Sequence, residues 1–185
     1  ENVEIGGVDQ LEHEIDREEV VLEEECLRVM ALHHPIGGDL RFLATLLRAN
    51  GDLERAADHA LSVFTQVADL GGHVPDSIVL LARRSVLLMG QAVRALLARD
   101  PQQAASVLDS GAQLHALSDA AFRQARTHAE SDHAGALDQA FVMVRIAMDF
   151  RRIGDLAFNL AEDALYLEKG RIVRHGGAGA SIEVR

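Results

Sequence analysis

Two nine-residue stretches of this chain are versions of each other. Asp52-Leu-Glu-Arg-Ala-Ala-Asp-His-Ala60 returns 97 positions later as Asp149-Phe-Arg-Arg-Ile-Gly-Asp-Leu-Ala157. Both copies lie inside long stretches of helical spacing, so the chain repeats an acidic, amphipathic helix. Each half then has the same kind of apolar stripe to bury, and a duplicated helical bundle buries it twice. In the first copy Glu54 and Asp58 stand four residues apart, which stacks two carboxylates one turn apart on one helical face.

Composition narrows the class. With 185 residues, 48% apolar side chains, no Trp and three Pro, the chain can bury a substantial core and favours helix over sheet. Its 18 basic and 29 acidic residues leave a net charge of −11, which argues against a nucleic-acid backbone as partner. The single cysteine, Cys26, rules out an internal disulfide framework and suits a reducing compartment. No apolar run approaches the ~20 residues of a spanning helix. The opening Glu1-Asn-Val-Glu4 lacks the basic and apolar regions of a signal peptide. The expected location is cytoplasmic, with peripheral contact at the inner face of the membrane left open.

Punctuation divides the helical spacing. A first helix from Val8 to Leu32 stops at His33-His34-Pro35 and Gly37-Gly38. Asp39 is placed to cap a second, running to about Asp69. A third starts at Asp76 or Ser77 and ends near Asp100, and Pro101 suits the first turn of a fourth that runs towards His128. After a polar break from Glu130 to Gly135, a last helix continues to Lys169-Gly170. The expected units are a first bundle over 1–72, a second over 73–175 and a flexible tail over 176–185. Val8 to Ile15 can be laid on Leu114 to Ala121, 106 positions on, so the repeat extends upstream of both acidic helices. The second half then has three helices and the first shows two, as though its opening helix were lacking.

On a helical wheel, Arg41, Arg48, Asp52, Arg55, His59 and Gln66 share the polar side of the second helix. Leu43, Leu46, Leu47, Leu53, Leu61 and Phe64 form a wide apolar arc, with Glu54 inside it and Asp58 at its edge. A carboxylate turned towards apolar surroundings is costly unless a cation or donors satisfy it. Oxygen ligands of this kind suit magnesium, calcium, manganese or iron. Asp9, Glu12 and Asp16 share one face of the preceding helix and offer a facing set. The bland alternative is a solvated face with intrahelical partners such as Arg55. In the second copy Arg151 replaces Glu54 and is spaced to pair with Asp155. A guanidinium can thus stand in for a metal there, leaving at most a weakened site through Asp149, Asp155 and Glu162.

These features resemble the PhoU family. The likeness is carried by Glu24-Glu-Cys-Leu-Arg-Val-Met-Ala-Leu-His-His-Pro-Ile-Gly-Gly-Asp-Leu-Arg-Phe-Leu43, by Asn50-Gly-Asp-Leu-Glu-Arg-Ala-Ala-Asp-His-Ala60, and by the ending from Arg152-Ile-Gly-Asp155 to His175. It implies an all-α fold of two similar antiparallel three-helix bundles side by side, with Glu/Asp-x-x-x-Asp motifs binding metal on the bundle surface. Glu54 and Asp58 match that motif, with Glu12 and Asp16 as a partner pair. Asp155 matches in the second copy, where Arg151 departs from the acidic position. The resemblance further implies an adaptor rather than an enzyme. Such a protein connects the ATPase subunit of the phosphate ABC transporter with a membrane sensor histidine kinase, and restrains uptake and the starvation response when phosphate is plentiful. Iron, manganese, magnesium or zinc, a homodimer and no contact with nucleic acid complete that expectation.

Two other classes compete. A ferritin-like di-metal enzyme needs Glu-x-x-His on two helices, and only Glu130-Ser-Asp-His133 has that spacing, within an expected loop. A metal-free helical oligomerisation scaffold is the second. His33-His34 reads as a loop pair, Cys26 as core, and Leu80, Leu81, Leu87, Leu88 and Leu96 as core or interface. Gly176 to Gly179 is no phosphate cradle, since neither a helix nor Gly-Lys-Ser/Thr follows.

Overall fold

A computed structural model describes residues 5–71, 74–132 and 134–169; the expected tail lies outside them. Every element among the described residues is helical: α1 (Ile5–His33), α2 (Gly37–Val67) with a 3-10 turn after it (Ala68–Leu70), α3 (Asp76–Ala98), α4 (Pro101–Leu108), α5 (Gly111–Ala129) and α6 (Ala136–Lys169). None of these helices is long and apolar enough to cross a membrane.

Local chemistry explains most boundaries. Asp100 caps α4, accepting from the backbone N–H groups of Gln102 and Gln103 at 2.9 and 3.1 Å, with Pro101 in the first turn. Two expectations are corrected. The single helix expected from Pro101 towards His128 is two, broken at Asp109 and Ser110. There Ser110 Oγ donates to the Ser106 carbonyl at 3.0 Å and accepts from Arg84 at 2.6 Å, and a hydroxyl bound to nearby backbone competes with the helical ladder. Asp39 is not a cap either. Gly37, at a φ of 57°, starts α2 directly after Ile36, and Asp39 lies in the first turn, where its charge still meets the positive helix end.

Helix α6 is the common element. It packs against α2, α3, α4 and α5, while α1 packs on α2. Thus α3, α5 and α6 make one three-helix bundle, and α1 and α2 form an antiparallel hairpin joined to it through α2. Ile78, Leu81, Leu88, Leu114, Ile146 and Leu160 are fully buried, each such side chain contributing ~1.5–3 kcal/mol. Leu81, Leu88 and Leu96 are core, whereas Leu80 and Leu87 of the same helix are exposed. A Cβ at Gly154 would fall 2.3 Å from Leu114 Cδ2, so this glycine is what lets α5 approach α6.

The duplicated helices meet each other. Asp52 of α2 faces Asn159 and Asp163 of α6. Its repeat counterpart, Asp149 of α6, faces Ser62 and Gln66 of α2. Ser62 and Gln66 are themselves the counterparts of Asn159 and Asp163, 97 positions earlier. The two helices therefore cross antiparallel about an approximate two-fold axis. The halves differ in charge: residues 1–72 carry 16 acidic and five basic side chains, residues 73–185 carry 13 of each. All of the net charge falls on the first half.

Candidate functional site

Part of the polar side of α2 faces α6, while Arg48 and Arg55 at its edge stay exposed. Asp52 and Gln66 are only 5% and 4% exposed, although the wheel alone gives them a polar face. Asp149 accepts from Ser62 Oγ at 2.9 Å and Gln66 Nε2 at 3.1 Å, and its other oxygen lies 2.9 Å from His59 Nδ1. Across the two-fold axis Asp52 pairs with Arg55, and Arg48 reaches Asp163 at 2.6 Å. Burial pushes the Asp52 carboxyl above its ordinary range, against the pull of the Arg55 charge and the Asn159 hydrogen bond. This seam is a set of polar contacts in which Gln66 Oε1 alone of the named groups is buried without a partner among the described residues, and its work is to hold the halves in register.

The apolar arc of α2 turns to α1 and carries the candidate site with it. Asn50 Nδ2 donates to the Glu19 carbonyl at 2.8 Å, which fixes how α1 lies along α2 and brings Asp16 and Glu19 beside Glu54. Loss of water raises the Glu54 carboxyl, and the Asp58 charge and hydrogen bond raise it further, followed by Glu19 and Asp16. Arg55 does not relieve this crowding, because it binds Asp52 and the Gly51 carbonyl. Neither Glu54 nor Asp58 has an ion pair among the described residues, so the expected intrahelical partner is not there. Glu12 lies on the same face of α1, one turn before Asp16 and half-buried. The Asp9 side chain lies outside the described residues. Glu19, which the helical spacing of Asp9, Glu12 and Asp16 does not single out, continues their face three residues beyond Asp16.

Carboxylates from two helices, converging without an ion-pair partner among the described residues, fit a hard cation in donor type and in charge. Among the described residues, however, no group of three or more His, Cys, Asp or Glu side chains is arranged to hold a metal ion. The donors are assembled as neighbours and not as a closed coordination shell.

The second half lacks this convergence. Asp155 and Arg151 are half-buried, and they form no ion pair among the described residues. The expected pairing fails in the weaker of the two helical orders, with the base preceding the acid. The contact of Leu114 with Gly154 sets α5 against α6 and places buried Leu114, Ser118 and Ala121 where α1 carries Glu12, Asp16 and Glu19. That correspondence is about one turn away from the 106-position match.

The remaining candidates carry no chemistry. His33 and His34 are exposed at the end of α1. Cys26 is buried, and burial, with the Glu25 charge second, raises its thiol, the opposite of a reactive thiolate. Glu130 pairs with Arg126 at 3.1 Å, and His133 lies outside the described residues. A small cavity lined by Leu70, Pro75, Gln124, His128, Gln139 and Met143 holds a His128–Gln139 hydrogen bond of 2.8 Å.

Sequence and fold both have known relatives. A family model described as the PhoU domain matches residues 4–67 and 78–164. The phosphate-specific transport system accessory protein PhoU homolog of Deinococcus radiodurans is 32% identical over 170 residues, covering 90% of this chain and 79% of its own. The accessory protein PhoU of Serratia marcescens is 25% identical over 166 residues, 88% of this chain and 68% of its own. The crystal structure of PhoU from Pseudomonas aeruginosa superposes with a TM-score of 0.81 at 27% identity, over 88% of this chain and 80% of that one. A phosphate transport system regulatory protein PhoU from Streptococcus pneumoniae shares the fold, with a TM-score of 0.81 at 21% identity, over 91% of this chain and 80% of that one.

Proposed function

The chain belongs to the PhoU family, and from that premise we propose that it is a regulatory accessory protein of phosphate uptake whose acidic α1–α2 face binds a metal ion. In this reading it works in the cytoplasm, peripheral to the membrane. It connects the ATPase subunit of a phosphate ABC transporter with a membrane sensor histidine kinase, and it restrains uptake and the starvation response when phosphate is plentiful. Relatives named as accessory or regulatory proteins rather than enzymes support the adaptor role. Self-association as a homodimer belongs to the same proposal.

One observation carries the metal site: Glu54 meets Asp58, with Asp16 and Glu19 close by, and among the described residues no basic side chain forms an ion pair with them. Glu54 and Asp58 are the principal ligands, with Asp16, Glu12 and Asp9 supplying the facing set from α1. Asp155 is a minor ligand at most, since the α5 positions opposite it are apolar or small. Iron, manganese, magnesium or zinc would find oxygen donors there, and the metal would neutralise charge that the fold alone leaves crowded.

Elemental analysis of protein purified without a histidine tag or chelator tests the site, beside the Glu54→Gln/Asp58→Asn variant. Metal in the parent and its loss from a variant of equal helicity is expected; equal, negligible metal in both sinks the site. The adaptor role is tested separately by expressing the chain in a bacterium deleted for its own PhoU. Restored repression of phosphate uptake in rich phosphate is expected, and unrestrained uptake contradicts the role. The metal-free scaffold draws its support from the lack of a three-donor group among the described residues, and it gains if metal is absent and repression is not restored.

A further inference from the structure

The two acidic helices are repeats, so each is an internal control for the other. Leu137, Phe141, Arg145, Met148 and Arg152 of α6 recur at steps of three or four, forming one strip along the helix. Leu137, Phe141 and Met148 are 59%, 62% and 50% exposed, and both arginines are exposed. The same strip on α2, 97 positions earlier, reads Leu40, Ala44, Arg48, Gly51 and Arg55.

The copies have diverged in two linked ways. On α2 the large apolar positions are Ala44 and Gly51, and both arginines are tied down, Arg48 to Asp163 and Arg55 to Asp52. On α6 they are Phe141 and Met148, and neither Arg145 nor Arg152 has an ion-pair partner among the described residues. Exposing Phe and Met to water has no benefit for the fold, and two unpaired guanidinium groups beside them are enriched features of interface cores. Arg and aromatic anchors also dominate interface energetics.

We propose that this α6 strip is a docking surface for a protein partner presenting acidic side chains around an apolar ridge. The occupant follows from complementarity: the arginines flank Met148 on either side, one turn away from it, and neither has a carboxylate partner among the described residues. The inference rests on the adaptor reading and specifies which face of this chain the partner meets. It does not involve the α1–α2 carboxylates.

Binding of the purified full chain to two probes, the transporter ATPase subunit and the cytoplasmic part of the sensor kinase, tests it by surface plasmon resonance at several salt concentrations. Arg145→Glu/Arg152→Glu and Phe141→Ser/Met148→Ser are each expected to weaken binding to one probe by ~10-fold or more. Arg145→Lys/Arg152→Lys retains most of it, and so does Arg123→Glu/Arg126→Glu on the exposed side of α5. Circular dichroism checks that every variant is folded. If the parent binds a probe and the strip variants bind equally well, the strip proposal falls and the adaptor reading stands. If the parent binds neither probe, both fall. Strip-dependent binding to phosphatidylglycerol vesicles, without binding to either protein, overturns the protein partner in favour of a membrane surface.

Discussion

Asp52 and Glu54, two residues apart on α2, are each held above the ordinary carboxyl range, and the consequence for stability has a definite sign. A carboxyl raised on folding binds a proton that the unfolded chain has already released. Its contribution to stability is complete below the unfolded value, 3.8 for Asp52, and is lost as pH rises through the folded one. At neutral pH the buried, ionised Asp52 is therefore a liability that Arg55 offsets only in part. Asp52→Asn is expected to raise the thermal midpoint at neutral pH and to flatten its decline from mildly acid to neutral conditions; a lowered midpoint at neutral pH would mean that the Arg55 pair outweighs burial. Glu54→Gln has the same sign in the presence of a chelator. Gly154 is a different case, limited by space. Gly154→Ala drives a methyl group into Leu114 and is expected to destabilise by ~1–3 kcal/mol, despite a helix-propensity gain of ~0.5–1 kcal/mol. Denaturant titration of Gly154→Ala with and without Leu114→Ala should show strong coupling, and additive losses would remove the contact as the cause. The Glu54 and Asp58 pair was legible from spacing alone, because i and i+4 fix a shared face. The burial of Asp52 was not, since a wheel shows which side is polar and not what that side meets.

At the scale of helices, the seam between α2 and α6 is built from the repeat itself. Asp149→Ala strips Ser62, Gln66 and His59 of their shared acceptor, which should cost ~1–3 kcal/mol. A double-mutant cycle with Ser62→Ala should return a coupling of ~0.5 kcal/mol or more; additive losses would show that the seam is polar packing without a specific bond. Helix existence was legible from the apolar period throughout. The break between α4 and α5 was not, because Asp109-Ser110-Gly111 interrupts no apolar spacing, and its cause is a hydroxyl contact with Arg84 from a distant helix. Register between α5 and α6 was also hidden. The 106-position match follows residue likeness, whereas the packed register follows Leu114 against Gly154, a steric fit that no residue pattern announces.

For the molecule as a whole, sharing α6 between the second bundle and the seam removes any independent path for the halves. Calorimetry of the chelated protein is expected to give one transition, with calorimetric and van't Hoff enthalpies equal; two separable transitions would show that α1 and α2 melt alone. The duplicated architecture was readable from two nine-residue stretches, as were the family likeness and its motif. Which half would keep a crowded acidic face was partly readable, in Arg151. The α5 positions that replace the α1 acids became clear only once packing had set their register.

The position of α6 in the chain also says something about birth order. A ribosome makes α1 to α5 before the helix against which α2, α3, α4 and α5 all pack. During synthesis the earlier helices can pair only among themselves, so the polar seam of α2 and the apolar faces of α3 and α5 wait uncovered. Compaction should thus arrive late and abruptly, when the turns of α6 around Leu160 have cleared the exit tunnel. Stalled nascent chains extended by a linker of increasing length would display this as protease sensitivity that persists while α5 emerges and then disappears as the turns around Leu160 leave the tunnel.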